Sequence, residues 1–367
     1  MKRFQLTLVF VALMVGAIQI WACTIPVFRY ALDRWHPDPY GVHVSEEWLK
    51  TDKGKQFAEQ VQELSQLYQI VPGEEKEGEI SVLQPAPGSP EVWRGKPDVK
   101  TLKEMLISPA RKQIMEKIVN GASVVFVMVM TGDTKADSDL ETKLNKRLGY
   151  LGEVMSIPPQ DPFDPENKLG PGPALKVGFS TIKIQRNDPK EQFLVKMLAG
   201  QNGDELIKAD QPFAAPIFGR GRALGAWKSE DLDDEGIDEL CQFLLGACSC
   251  QVKAQNPGWD ILIGSDWDEG LMKVGMALER AAAEAETVEP QAPSTIDAPA
   301  VVAAVTNSVP APETNSTAPE TVTFNSTPKP ETTEAAAPKG VKLIPILLGF
   351  GAAIVVILAV MSGRRKS

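Results

Sequence analysis

Apolar residues recur along this chain with two different periods, and the periods mark its elements. Ala122 to Met130 reads ASVVFVMVM, a β-branched run with no polar break beyond Ser123. It predicts a strand buried on both faces. Leu140, Leu144, Leu148 and Leu151 then recur at helical spacing behind Ser138 and Glu141, a capping-box pair. LKVGFSTIKI (Leu175 to Ile184) predicts a second strand. KEQFLVKMLA predicts a short helix with Phe193, Leu194, Met197 and Leu198 on one side. APIFGRGRALGAW predicts two short strands about a Gly219-Arg220-Gly221 turn. Ile237, Leu240, Cys241, Leu244 and Cys248 lay out one face of a last helix that starts near Asp233. The order is β-α-β-α-β-β-α.

The first half is patterned more weakly. TIPVFRYALDRW predicts an amphipathic helix, and YGVHV a short strand. GKQFAEQVQELSQLYQ predicts a helix with Phe57, Val61, Leu64 and Tyr68 along one face. EISVLQP and EVWRG predict two strands. Two helical stretches follow, the second with Ser108 as N-cap and Pro109 as first helical residue. This gives α-β-α-β-β-α, to which AIQIWA would add a preceding strand.

The second order resembles the thioredoxin fold over roughly residues 121 to 250. Pro216 stands before the third strand, where that family carries a cis-proline. The hairpin turn at Gly219 and Gly221 and the amphipathic helix after it also match. The family's active dithiol follows the first strand. Here that loop is Thr131-Gly132-Asp133-Thr134, without cysteine, so the resemblance implies the fold without its redox chemistry. The fold class expected is α/β, with thioredoxin-like βαβαββα units in tandem. Residues 23–120 form the first unit, and residues 121–286 form the second with a C-terminal extension. One irregular α/β domain is the alternative. The phrases CTIPVFRYALDRW, SPAR, FGRGRALGAW and GACSCQVKAQNPGWD resemble a family of exported bacterial proteins, which implies export and supplies no activity.

The ends of the chain set its expected location. Lys2 and Arg3 precede an apolar stretch to Ile18, so residues 1–22 read as a secretory signal. A cut after Ala22 leaves Cys23 first, and Val15-Gly16-Ala17 offers another site. Ile20-Trp21-Ala22-Cys23 loosely matches a lipoprotein box, with Trp21 where a small residue is normal. Leu343 to Met361 carries no charge, and at ~1.5 Å per residue it nearly covers a ~30 Å hydrocarbon core. A transmembrane helix is therefore expected over 341–362. Arg364, Arg365 and Lys366 hold the 363–367 tail in the cytoplasm. Residues 287–340 are Pro, Thr, Ala and Glu-rich and bury too little apolar surface to fold, so they read as a disordered stalk of ~100 Å reach or more. Asn315 and Asn325 begin glycosylation sequons within it. The folded part is expected outside the cytoplasm, anchored in the membrane, with a protein partner in the cell envelope.

Charge and chemistry narrow this only a little. The net charge is −10, with no basic stripe outside the tail, which argues against nucleic acid. No Gly-rich phosphate loop, Ser/His/Asp ordering or zinc-protease helix appears, so no cofactor is expected. Four cysteines outside the cytoplasm favour disulfides. Cys241 and Cys248, two turns apart on one helix, would be ~10 Å apart and beyond bridging reach. That leaves Cys23 with Cys248 or Cys250, or a strained Cys248–Cys250 pair beside a single Cys23. Cys23 before a helix start is also the candidate reactive thiol, because a helix N-terminus favours the thiolate. Pro26 stands where a local Cys-x-x-Cys would place its second cysteine. The leading expectation is a binding or assembly protein. The alternative is a thiol-disulfide protein using Cys23 with Cys248 or Cys250. His36 and His43 with the cysteines, Arg220 with Arg222, and Asp266, Asp268 and Glu269 are weaker candidates for a metal, an anion and calcium, each outweighed by a structural reading.

Overall fold

In the computed structural model, residues 24–161, 163–248 and 252–287 are described. The signal segment, Cys23, Cys250, all but the first residue of the stalk, the apolar span and the basic tail lie outside them. Among the described residues, no helix is long and apolar enough to cross a membrane.

The described chain is α/β with two mixed sheets. The first sheet holds β1 (Tyr40–Ser45), β2 (Tyr68–Gly73), β3 (Ile80–Leu83) and β4 (Glu91–Gly95) in the order β2-β1-β3-β4. β1 runs parallel to β2 and antiparallel to β3, and β4 is antiparallel to β3. The second holds β5 (Val124–Met130), β6 (Phe179–Gln185), β7 (Phe213–Phe218), β8 (Arg222–Ala223) and β10 (Trp259–Asp260) in the order β10-β8-β7-β5-β6. A short β9 (Trp227–Lys228) pairs with the start of β7. β5 runs parallel to β6 and antiparallel to β7, and β8 is antiparallel to β7.

The helices are α1 (Val27–Arg34), α2 (Glu46–Leu49), α3 (Asp52–Gln62), α4 (Val99–Glu104), α5 (Pro109–Val119), α6 (Thr134–Val154), α7 (Gln192–Ala199), α8 (Gly203–Lys208), α9 (Asp234–Leu245) and α10 (Trp267–Thr287). Their starts are written in the sequence. Ser108 caps α5 by accepting from Arg111 N–H, with Pro109 at the first position. Asp233 caps α9 through Gly236 N–H. Asp133 caps α6 through the N–H groups of Lys135 and Ala136. The helix therefore starts about one turn before the expected Ser138 cap, and Ser138 lies inside α6, because Asp133 already meets the first orphan donors.

All seven residues of β5 are buried, as its unbroken apolar run requires. Val125, Val127 and Val129 face Ile114 and Ile118 of α5 and Leu194 and Leu198 of α7. Val124, Phe126, Met128 and Met130 face α6, α9 and α1. Leu140, Leu144, Leu148 and Leu151 of α6 sit in that second cluster as their spacing predicts. In the first sheet Tyr40, Val42, Val44, Ile80 and Val82 turn one face to Phe57 and Val61 of α3 and Leu102 of α4. That face and the α7 side of β5 belong to one continuous apolar cluster.

Several elements differ from their sequence patterns. The α3 helix ends at Gln62, and Tyr68 opens β2 instead of closing a helical face. Pro72 fits there because β2 is an edge strand. The strand expected from AIQIWA lies outside the described residues. α1 packs on α9 and β7, so it joins the second sheet and not the first. Helix α9 stops at Leu245, short of Cys248, so Cys241 and Cys248 do not share a helix. The segment after it instead turns back onto the start of the chain. Pro26 forms a bridge with Ala247, Val27 N–H donates to Gly246 O at 3.0 Å, and Cys248 N–H donates to Ile25 O at 2.9 Å. From the other side Gln160 Nε2 donates to Thr24 O and Thr24 N–H donates to Asn167 Oδ1. Trp267 begins a further helix, α10, within the acidic run of Asp266, Asp268 and Glu269, and that helix reaches Thr287, the first residue of the predicted stalk.

Candidate functional site

The β7–β8 hairpin turn is where predicted site residues converge. Gly219 and Gly221 have φ of 56° and 99°, the left-handed region where glycine is at ease. A Cβ on Gly219 would also meet the Ala31 side chain at 2.7 Å, so the turn sits hard against α1. Pro216 lies within β7, paired with Phe126, and no cis peptide occurs among the described residues. The expected place before the strand is thus one within it.

Between the two glycines, Arg220 extends to Leu32 O, which its Nε meets at 2.8 Å, and to Asp268 at 2.7 Å. It lines a cleft of about 960 Å³ together with His36, Pro39, the 63–67 loop and the start of α10. The cleft lies where a loop of the first sheet, the hairpin of the second and the C-terminal helix meet. Trp267 is 95% buried at its wall, since it is 5% exposed, and its indole N–H has no hydrogen-bond partner among the described residues. Volume, one arginine and three nearby carboxylates suit the cleft to holding a polar group.

The remaining candidates are engaged elsewhere. Arg222 is buried, with Nε on Pro257 O, NH2 on Asn256 O and Gly258 O, and Asp260 at 3.4 Å. It is a strut for the 256–260 turn and not an anion hook. Lys253 also reaches Asp260. Burial pushes the Asp260 carboxyl up, and the facing cations Lys253 and Arg222 oppose that push. Asp266 caps α10 by accepting from Glu269 N–H at 2.9 Å, and Asp268 pairs with Arg220, so these acids do not form an oxygen cage. No group of three or more His, Cys, Asp or Glu among the described residues is placed to hold a metal ion. His43 lies in β1, opposite Val71 and Ser81.

Of the predicted thiol set, Cys23 and Cys250 lie outside the described residues. Cys248 is buried beside Ile25. Cys241 is wholly buried on α9, where burial first, and the Asp238 carboxylate second, push its thiol up to about 12. It is a protonated core residue at neutral pH.

Two places correspond to the reactive position that the sequence reading singled out, the helix start after a first strand. At the end of β1 stands Ser45, whose hydroxyl accepts from Trp48 N–H. After β5 stands Asp133, and Asp137 closes the loop by accepting from Thr131 N–H, the Thr131 hydroxyl and Gly132 N–H. The Ala136 and Lys135 backbone N–H groups hold the Asp133 carboxyl below the usual carboxylate range. Side-chain oxygens already occupy donors that would otherwise stabilise a thiolate or bind an anion. Sequence reasoning saw the missing cysteine but missed Asp137, whose placement four residues past the Asp133 cap was the available signal.

Comparison with protein families, curated proteins and solved structures gives no match.

Proposed function

We propose that this chain is a single-pass, membrane-anchored protein whose body lies outside the cytoplasm, is made of two degenerate thioredoxin-like units, and acts by binding or assembly. Four strands of each sheet follow one plan. The strand second in sequence lies parallel beside the first, the third lies antiparallel on its other side, and the fourth flanks the third. The observation that carries the reading is the chemistry at the two helix starts. Ser45 and Asp133 stand where redox members of the thioredoxin fold hold a nucleophilic thiol, and their side chains cap the backbone. The location rests on the basic n-region, the apolar span and the Arg364-Arg365-Lys366 tail.

One contact favours a second reading, a thiol-disulfide protein using Cys23 with Cys248 or Cys250. The bond from Cys248 N–H to Ile25 O brings GACSC to within two residues of Cys23 along the chain. A buried structural bridge and a redox pair both use that proximity. Intact-mass spectrometry of the mature full-length protein, alkylated at neutral pH before and after mild reductant, separates them. The binding reading expects no label on Cys23 until strong reductant and denaturant are added. Rapid labelling of Cys23 in the native protein overturns it in favour of redox chemistry. The same spectrum gives the signal cut and any acyl chain.

A further inference from the structure

An apolar groove runs along the outer side of α9. One wall is the helix face of Gly236, Glu239, Leu240 and Phe243, at spacing i, i+3, i+4 and i+7. The other wall is Leu224 and Trp227, with Pro257 at one end. Gly225 lets this wall form, because a Cβ there would meet the Trp227 ring at 2.3 Å. The volume is about 390 Å³, room for one or two large side chains. Phe243 is 36% exposed, an aromatic ring left half in water at the groove's lip.

The rim is acidic. The segment from Ser229 to Leu240 carries seven carboxylates. Three are used internally: Asp233 caps α9, while Asp234 and Asp238 face Arg147. Among the described residues, no ion pair or hydrogen bond engages the carboxylates of Glu230, Asp231, Glu235 or Glu239. Lys228, the nearest cation in sequence, pairs with Glu205, and Asp231 and Glu230 act on it only through charge, without a direct ion pair. An apolar slot bordered by unpaired carboxylates recognises large apolar side chains flanked by basic ones, because the acids attract and orient the partner while the slot supplies burial.

We propose that this groove docks a basic, apolar-centred peptide segment of a partner protein. The inference rests on the binding reading and names the chemistry of the partner. It uses no cysteine, so it stands or falls apart from the thiol test above.

The test is fluorescence anisotropy on the full-length protein in detergent, with a labelled peptide in which Leu-Phe-Leu is flanked on each side by Lys-Arg. Saturable binding that weakens with salt is expected. The double variant Asp231→Lys/Glu239→Lys, at the two carboxylates that line the groove, should weaken it about tenfold or more. Phe243→Ser should weaken it without altering the salt dependence, and Glu59→Lys on the distant α3 should leave it unchanged. Circular dichroism melts confirm that each variant folds. Equal binding of a peptide with Glu-Glu flanks, or unaltered affinity in the double charge reversal, overturns the proposal. So does a concentration-dependent dimer that Phe243→Ser abolishes, since the occupant is then a second copy of the chain.

Discussion

The two sheets share a strand order and differ in what covers them. In the second sheet the chain between the second and third strands, from Arg186 to Pro212, contains α7 and α8. The α7 helix covers the face of Val125, Val127 and Val129, while α6, α9 and α1 cover the other. In the first sheet the matching connection is the short turn from Glu74 to Glu79. No helix follows β2, and the face carrying His43, Ser81 and Arg94 is polar. One strand plan is thus packed between helices in one place and against helices on one face in the other, where Ser81 is buried beneath Glu75 instead. A sheet covered on both faces needs strands that are apolar throughout, whereas a sheet covered on one needs only alternation.

That difference can be broken or sharpened by mutation, and the widest gap comes first. Phe126→Ala in β5 removes a wholly buried ring from between β5 and α6, and should cost ~3–5 kcal/mol in urea unfolding. His43→Ala in β1, on the half-buried polar face, should fall within ~0.5 kcal/mol of wild type. Similar costs for both would mean that the first sheet's polar face is covered in solution, and the contrast would fail.

A second, smaller effect tests whether the sheets melt as one body. Gln84, just past β3, donates through Nε2 to Met197 O of α7 at 3.0 Å and to Asp260 O of β10 at 3.1 Å. The Tyr40 hydroxyl of β1 meets the same Asp260 O at 2.8 Å. Each acceptor keeps another donor when Gln84 is lost, because Trp259 Nε1 also donates to Met197 O. Gln84→Ala should therefore cost only ~1–2 kcal/mol, with fluorescence and circular dichroism transitions still coincident. Two separate transitions in the variant would show that the sheets are independent domains joined by this seam.

The same contrast explains what could be read without coordinates. β5 announces itself because burial on both faces leaves nine consecutive residues with almost no polar choice. The caps Ser108 and Asp233 are legible because a helix start is a local problem solved within three residues. β2 was hidden: YQIVPG sits at an edge, tolerates Pro72, and only its pairing with β1 makes it a strand. The allegiance of α1 to the second sheet was hidden for a similar reason. Its apolar stripe shows that it packs, and only the Pro26–Ala247 bridge decides where. The cleft at Arg220 draws on segments near residues 36, 65, 220 and 266, a convergence no local pattern encodes. Cysteine spacing pointed to a link between the chain start and GACSC, and the backbone bond at Ile25 is the nearest described counterpart.

The smallest effect concerns the turn that stands in for the missing helix. Glu75 accepts from the Ser81 hydroxyl at 2.7 Å and pairs with Arg94 at 2.5 Å, tying the 74–79 turn to β3 and β4 across the polar face. The Ser81 hydrogen bond first, and Arg94 second, hold its carboxyl below the usual carboxylate range. A carboxyl lowered in the folded state stabilises the fold at pH values above its unfolded pKa of about 4.3, and that contribution is lost as pH falls through the lower folded value. Because the pair is partly open to solvent, the whole contribution should stay below ~1 kcal/mol. Wild type should exceed Glu75→Gln in urea midpoint at pH 7, and the gap should narrow as pH falls below about 4.3 and close in acid. Ser81→Ala should remove much of the gap, since the hydroxyl is the larger cause of the shift. If the gap between wild type and Glu75→Gln persists unchanged at low pH, Glu75 acts through hydrogen bonding that needs no charge, and the charged staple is not what takes the place of a helix on that face.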